Sequence, residues 1–297
     1  MKGKSKSICQ GNQRNWVIKV DRKRIKIKVG WLLIKMKILF VMLALALSFA
    51  AYSEADAKRY TWASSYAYCS SMGNDNCGKA GAQIKSLGYQ VLTFKSTGAV
   101  YNFINAAILK DAARKEIVVA FSGTKNPAQL AEEVLNNMPT SYPLHGISGA
   151  IVLHYFLDHY AAFSDWLESS LRSIGLSDYK IVFTGHSLGG ALAVHAATDM
   201  LLEKIRSGSM MKVYTFGQPR VGNKEFDSVI KTQILDSYRV VHHKDLVVHV
   251  PPCIPKPIVG STSCFSEGSI AFYPFNSLQE IFYDDAMSSY RICTASE

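Results

Sequence analysis

Cysteine is scarce here, six in 297 residues, and proline is limited to nine. So few cysteines do not frame a disulfide miniprotein, and no two have the close spacing of a zinc knuckle. Twenty glycines without a period exclude a collagen, and 48% hydrophobic residues exclude a disordered chain. After residue 60 there is no internal repeat, low-complexity stretch or long Gly/Ser linker. Metal-ligand clusters, phosphate-cradling loops and cofactor motifs are lacking too, so no cofactor is expected. Net charge is also missing from most of the chain. The formal +10 lies in the first 35 residues, where 11 Lys and Arg meet one acid, Asp21, while residues 36–297 hold 22 bases and 22 acids. That distribution excludes a basic nucleic-acid-binding domain.

Met36 and Lys37 are followed by fourteen uncharged residues, Ile38 to Ala51, and then by small residues around Ser53, Ala55 and Ala57. A charged start, a short apolar run and small-residue cleavage choices describe a secretory signal peptide. The rival, a membrane anchor, needs about 20 apolar residues, and Lys35 and Lys37 interrupt the run on its upstream side. The sequence therefore divides into a basic extension over residues 1–35, a signal peptide over 36–55 and one domain over 56–297. An over-extended translation start accounts for the extension, and the domain is expected outside the cell. Disulfides form there. Five cysteines remain after Cys9, an odd number, and Cys253 with Cys264 is the most credible local pair.

Within the domain, apolar runs at Lys115–Phe121 and Tyr179–Thr184 read as buried strands, each closed by a glycine. Between them Phe156, Tyr160, Phe163, Leu167 and Leu171 recur at helical spacing. Further elements are expected as a helix from Ala191 to about Arg206, a strand over Lys212–Phe216, a helix over Lys224–Leu235 and a strand over Tyr238–His243. Two more strands are expected at Ser269–Phe275 and Glu280–Tyr283. Strand and helix alternate, which predicts an α/β fold with a doubly wound, mostly parallel sheet and helices on both faces.

The chemistry centres on Gly185-His186-Ser187-Leu188-Gly189-Gly190, set between an apolar strand and a small-residue helix. Such a turn holds a serine in a strained conformation above the sheet edge, and its neighbours must be small for the helix to approach. With Phe121-Ser122-Gly123-Thr124, the run Thr215 to Asn223 and the run Arg239 to Asp245, this turn makes the chain similar to the class 3, or fungal-type, lipases, including secreted nematode members. The resemblance covers most of residues 115–293 and implies the α/β-hydrolase fold and hydrolysis of acylglycerol esters at a lipid–water interface. By position, Ser187 matches the nucleophile, Asp245 the triad acid, and Thr124 and the Leu188 N–H the oxyanion donors. Residues 126–143 occupy the place of the lid. His186 is a regular family residue, expected to pack below the turn.

The triad order Ser, Asp, His requires a histidine after Asp245. Only His249 follows, and it matches a histidine that the family keeps beside the catalytic one, so a loop role is expected for it. His242 and His243, on opposite sides of a strand, likewise read as structural. The segment Phe-His-His-Gly-Thr-Glu-Ile-Trp-Tyr of the family aligns with Phe275 to Tyr283, and Asn276 stands where the histidine belongs. An amide has no titratable nitrogen to take the serine proton. Ser122 in place of an arginine, Tyr155 in place of a glycine and Val248 in place of a proline are further departures. The resemblance thus implies a lipase-like hydrolase with weak or absent turnover, or a non-catalytic protein that binds a lipid ligand or a partner.

Overall fold

A computed structural model of the chain describes residues 51–69, 77–98, 103–124, 139–141, 147–175, 177–251 and 278–293. The first helix, α1 (Glu54–Ala67), starts at Ser53, whose Oγ accepts the Asp56 N–H at 3.1 Å. Glu54 and Asp56 place negative charge in its first turn, where the helix dipole favours it. A second helix, α2 (Gly78–Ser86), leads into an antiparallel pair, β1 (Tyr89–Thr97) and β2 (Ile104–Asp111). The Cys69–Cys77 disulfide closes the connection between the two helices. Cys253 and Cys264 lie outside the described residues.

Next come β3 (Glu116–Phe121), a short pair β4 (Pro139–Ser141) and β5 (Ile151–Leu153), and the long helix α3 (His154–Ile174). The chain continues through β6 (Lys180–His186), α4 (Leu188–Leu202), β7 (Met211–Phe216), α5 (Lys224–Gln233), β8 (Ser237–His242), β9 (Gln279–Tyr283) and β10 (Tyr290–Ile292). The strand expected at Ser269–Phe275 and most of the lid stretch fall outside the described residues. His243 lies one residue beyond β8, at φ 42°, so His242 and His243 do not alternate across a strand.

The main sheet runs β1-β2-β3-β6-β7-β8-β9-β10, with β3, β6, β7, β8 and β9 parallel and both margins antiparallel. Because side chains alternate, one strand feeds two cores. Ile117, Val119 and Phe121 of β3 pack with Phe183 of β6 and with α3, α4 and α5. Val118, Ala120 and Val182 pack on the other face with α1 and α2. Phe156, Phe163 and Leu167 of α3 are fully buried, each contributing about 1.5–3 kcal/mol. The expected mostly parallel sheet with helices on both faces is present. The doubly wound description needs correction: strand order never reverses, since α3, α4 and α5 share one face and α1, from ahead of the sheet, covers the other.

A buried ionic cluster fastens α1 to the sheet's N-terminal edge. Lys212 Nζ lies 3.1 Å from Asp56 and 3.0 Å from Glu116, while Arg114 reaches Asp56 at 2.6 Å and Glu116 at 3.1 Å. Tyr60 donates its hydroxyl to Glu116 at 2.9 Å. Farther along, Ser64 and Thr184 join their hydroxyls at 2.9 Å. Anchored at those points, α1 delivers Tyr68 to the opposite, C-terminal edge of the parallel strands, where Ser187 stands.

Candidate active site

Ser187 links β6 to α4 with φ 58° and ψ −127°, a backbone region that costs a non-glycine residue on the order of 1–3 kcal/mol. The surroundings hold it there. Its N–H donates to the Phe216 carbonyl at 2.9 Å, and its own carbonyl accepts from Gly190 N–H at 2.9 Å. A Cβ at Gly185 would lie 2.1 Å from the Gly189 carbonyl oxygen, and one at Gly189 would lie 2.3 Å from that of Phe121. The glycines therefore let α4 start against the ends of β6 and β3, as the steric argument from sequence required. Ser187 is 1% exposed, and its Oγ has no hydrogen-bond partner among the described residues.

The register between β3 and β6 pairs Phe121 with Gly185. This sets Ser122-Gly123-Thr124 beside the serine, and the direction of a Gly123 side chain ends 3.1 Å from Ser187 Cβ. Leu188, fully buried, opens α4, so its N–H belongs to the unpaired first turn of a helix. Thr124 is half-buried beyond the end of β3. Ser122, at the position of the family's arginine, is buried, and its Oγ accepts from Asn105 N–H at 2.9 Å. There it ties β3 to β2.

His186 does not pack below the turn. It faces solvent, and its Nδ1 is 2.9 Å from the Tyr68 hydroxyl, which also takes a hydrogen bond from Gly123 N–H. Burial pushes the Tyr68 hydroxyl up to about 12, so it stays protonated and donates to Nδ1. The ring proton then sits on Nε2, which lies 3.6 Å from the point where a Gly217 side chain would begin. Desolvation holds His186 below the ordinary imidazole range, although Asp245 pulls the other way. With Nδ1 taken by Tyr68 and Nε2 beside Gly217, His186 is no partner for Ser187.

Asp245 follows β8 in a tight turn: its N–H donates to the His242 carbonyl at 3.0 Å, and its Oδ1 accepts from Val247 N–H at 2.9 Å. Arg239, 1% exposed, braces this region from below. Its guanidinium donates to the Gln218 carbonyl at 3.0 Å, to Glu280 at 2.5 Å and to the Val248 carbonyl at 2.6 Å. One cation thus joins the loop after β7, the loop carrying Asp245 and the strand β9. His249 contributes its backbone carbonyl to Arg220 at 2.8 Å. Burial and the nearby arginines hold its imidazole below the usual range. Asn276 lies outside the described residues.

A cavity of about 450 Å³ opens on the α1 face beside these groups. His186, Phe216 and Val240, in register on β6, β7 and β8, form its floor, and Asp245 and Thr61 stand in its wall. Sequence reasoning met Gly217 and Arg239 only as members of the runs Thr215 to Asn223 and Arg239 to Asp245 and gave them no role, and it did not single out Tyr68 or this cavity. Arg239 alone carried a signal, being a lone cation inside an apolar strand. Among the described residues no cluster of three metal-ligating side chains occurs, and no helix is long and apolar enough to cross a membrane.

Residues 118–254 match the family described as Lipase (class 3). The chain is 32% identical to lipase ZK262.3 of Caenorhabditis elegans over 189 residues, 61% of this chain and 53% of that one. It is 32% identical to a secreted mono- and diacylglycerol lipase of Fusarium solani over 158 residues, 51% of this chain and 44% of that one. The chain spans about half the length of these relatives. The triacylglyceride lipase of Rhizomucor miehei superposes with a TM-score of 0.65 at 26% identity, covering 82% of this chain and 86% of the other. By its sequence match over residues 118–254 and by the fold that carries its serine turn, the chain is similar to the class 3 lipases.

Proposed function

We propose that the protein is a secreted, lipase-like ester hydrolase of acylglycerols or related lipid esters whose turnover is weak or absent. Ser187 is the nucleophile, Asp245 the triad acid, and the Leu188 N–H with Thr124 the oxyanion donors; Asn276 occupies the place of the base. The observation that carries this reading is Ser187 itself, strained into the turn with a buried Oγ that has no hydrogen-bond partner among the described residues. In hydrolysis that Oγ attacks the acyl carbonyl while a base removes its proton. The carbonyl oxygen becomes an oxyanion held by two donors, and the carboxylate steadies the charged base. An asparagine at the base position removes the proton acceptor and leaves the rest. Losing one triad member costs on the order of 10⁴- to 10⁶-fold in turnover.

Secretion is supported by the basic start and apolar run of Met36–Ala51 and by the secreted Fusarium relative. The second reading, a non-catalytic protein that retains a lipid, is favoured by Ser187 Oγ, which meets no imidazole or other hydrogen-bond partner among the described residues. A labelled diacylglycerol tests the two together. Slow release of fatty acid that Ser187→Ala abolishes supports the hydrolase, and stoichiometric retention without product supports the binder. Neither release nor retention contradicts both.

A further inference from the structure

The Asp245 carboxylate has one oxygen in use and one to spare. Oδ1 accepts the Val247 N–H, while among the described residues Oδ2 has no hydrogen-bond partner; Asp245 lines the 450 Å³ cavity, with Oδ2 2.8 Å from the point where a side chain at Gly217, another lining residue, would begin. In a working triad the spare oxygen would meet the catalytic imidazole. Within reach of the same cavity are the rings of Tyr52, Phe216 and Tyr283, whose faces are negative. The formal charges in the wall are those of Asp245 and the Glu54–Lys58 pair, closed at 2.7 Å. They sum to −1. Desolvation keeps His186 neutral near pH 7, so it does not cancel that charge.

We propose that this cavity binds an organic cation, an amine or quaternary ammonium bearing an apolar group, with Asp245 as its counter-charge. The volume falls in the range of small-molecule sites, about 300–1,000 Å³. An apolar, aromatic-lined wall with one free carboxylate favours a weakly hydrated cation over an anion or a neutral isostere. The inference rests on the reading that Asn276 has replaced the triad base, because a histidine there would take up Asp245.

Isothermal titration of the purified Ser187→Ala protein with benzyltrimethylammonium tests it, with phenylacetate as the anion of similar size. Chemistry at the serine cannot contribute in that background. The expected result is at least a tenfold preference for the cation. Thr61 is exposed on α1 and faces the cavity, so Thr61→Trp folds and lowers affinity tenfold or more. Lys58→Glu, which removes a cation from the rim and adds an anion, raises affinity two- to threefold, a gain that a purely structural effect does not give. Asn276→His weakens binding severalfold. Displacement by monomeric dihexanoylphosphatidylcholine assigns the site to a lipid headgroup, and no displacement assigns it to a free amine. Equal affinity for phenylacetate, or indifference to Thr61→Trp, overturns the proposal. If the cation binds and Asn276→His has no effect on it, the cavity assignment stands and the reading of Asn276 fails.

Discussion

Asp245 and His186 converge on Gly217: Oδ2 of the first and Nε2 of the second lie 2.8 and 3.6 Å from the point where a side chain at that glycine would begin. Gly217 also has φ +57°, a conformation that a Cβ penalises. Gly217→Ala is therefore expected to push Asp245 out of place and to cost about 1–2 kcal/mol of stability. In an Asn276→His background it should reduce kcat about 10²-fold, the effect of a small misplacement of a catalytic group. Kinetics beside a denaturation curve separate the two losses.

The ionic cluster beneath α1 makes a stability prediction. Lys212 is 7% exposed and lies between Asp56 and Glu116. Lys212→Met strands buried carboxylates and is expected to cost about 3–5 kcal/mol, read as a lower urea midpoint. Lys58→Met, breaking the exposed pair with Glu54, should leave the midpoint unchanged.

His195 predicts a pH dependence. It is fully buried in α4 between the rings of Tyr160 and Phe226, and desolvation pulls it down to about 3 from an ordinary 6.5. The folded protein holds it neutral, so its contribution is complete above pH 6.5 and is lost as pH falls toward 3. At pH 5 the loss is about 2 kcal/mol. His195→Phe should remove that slope when its melting temperature is compared with the parent's from pH 7 to pH 5.

The N-terminal boundary is testable by truncation. Tyr52 is 8% exposed, joins its hydroxyl to that of Tyr283 at 3.1 Å and stacks among Tyr214, Tyr238 and Tyr290, while Ser53 caps α1. A chain starting at Asp56 loses a buried ring and a cap, about 3 kcal/mol together. Its melting temperature should fall about 5–10 °C below that of a chain starting at Ala51. Equal melting temperatures would place the natural boundary at residue 56 as readily as at 51.

The parts of the fold written in periodicity were legible. The runs at Lys115 and Tyr179 and the stripe Phe156 to Leu171 became β3, β6 and α3, because burial on both faces leaves continuous apolar runs and burial on one leaves a helical stripe. The serine turn was legible because its glycines answer a steric demand. The α1 helix was not, since its buried face includes Asp56, Tyr60 and Ser64, polar groups satisfied only by distant partners. Nor could local pattern place His186: its direction depends on Tyr68, 118 residues away.

The central claim is that the nucleophile, its acid and its oxyanion donors are in place and only the base is missing. Hydrolysis of a short-chain chromogenic ester by the parent, by Asn276→His and by Asn276→His with Ser187→Ala tests it most directly. The account predicts an inert or nearly inert parent, a gain of at least about 10³-fold on adding the histidine, and loss of that gain with the serine. Parent turnover at an ordinary lipase rate that Ser187→Ala abolishes would contradict it, because some other group would then be taking the serine proton.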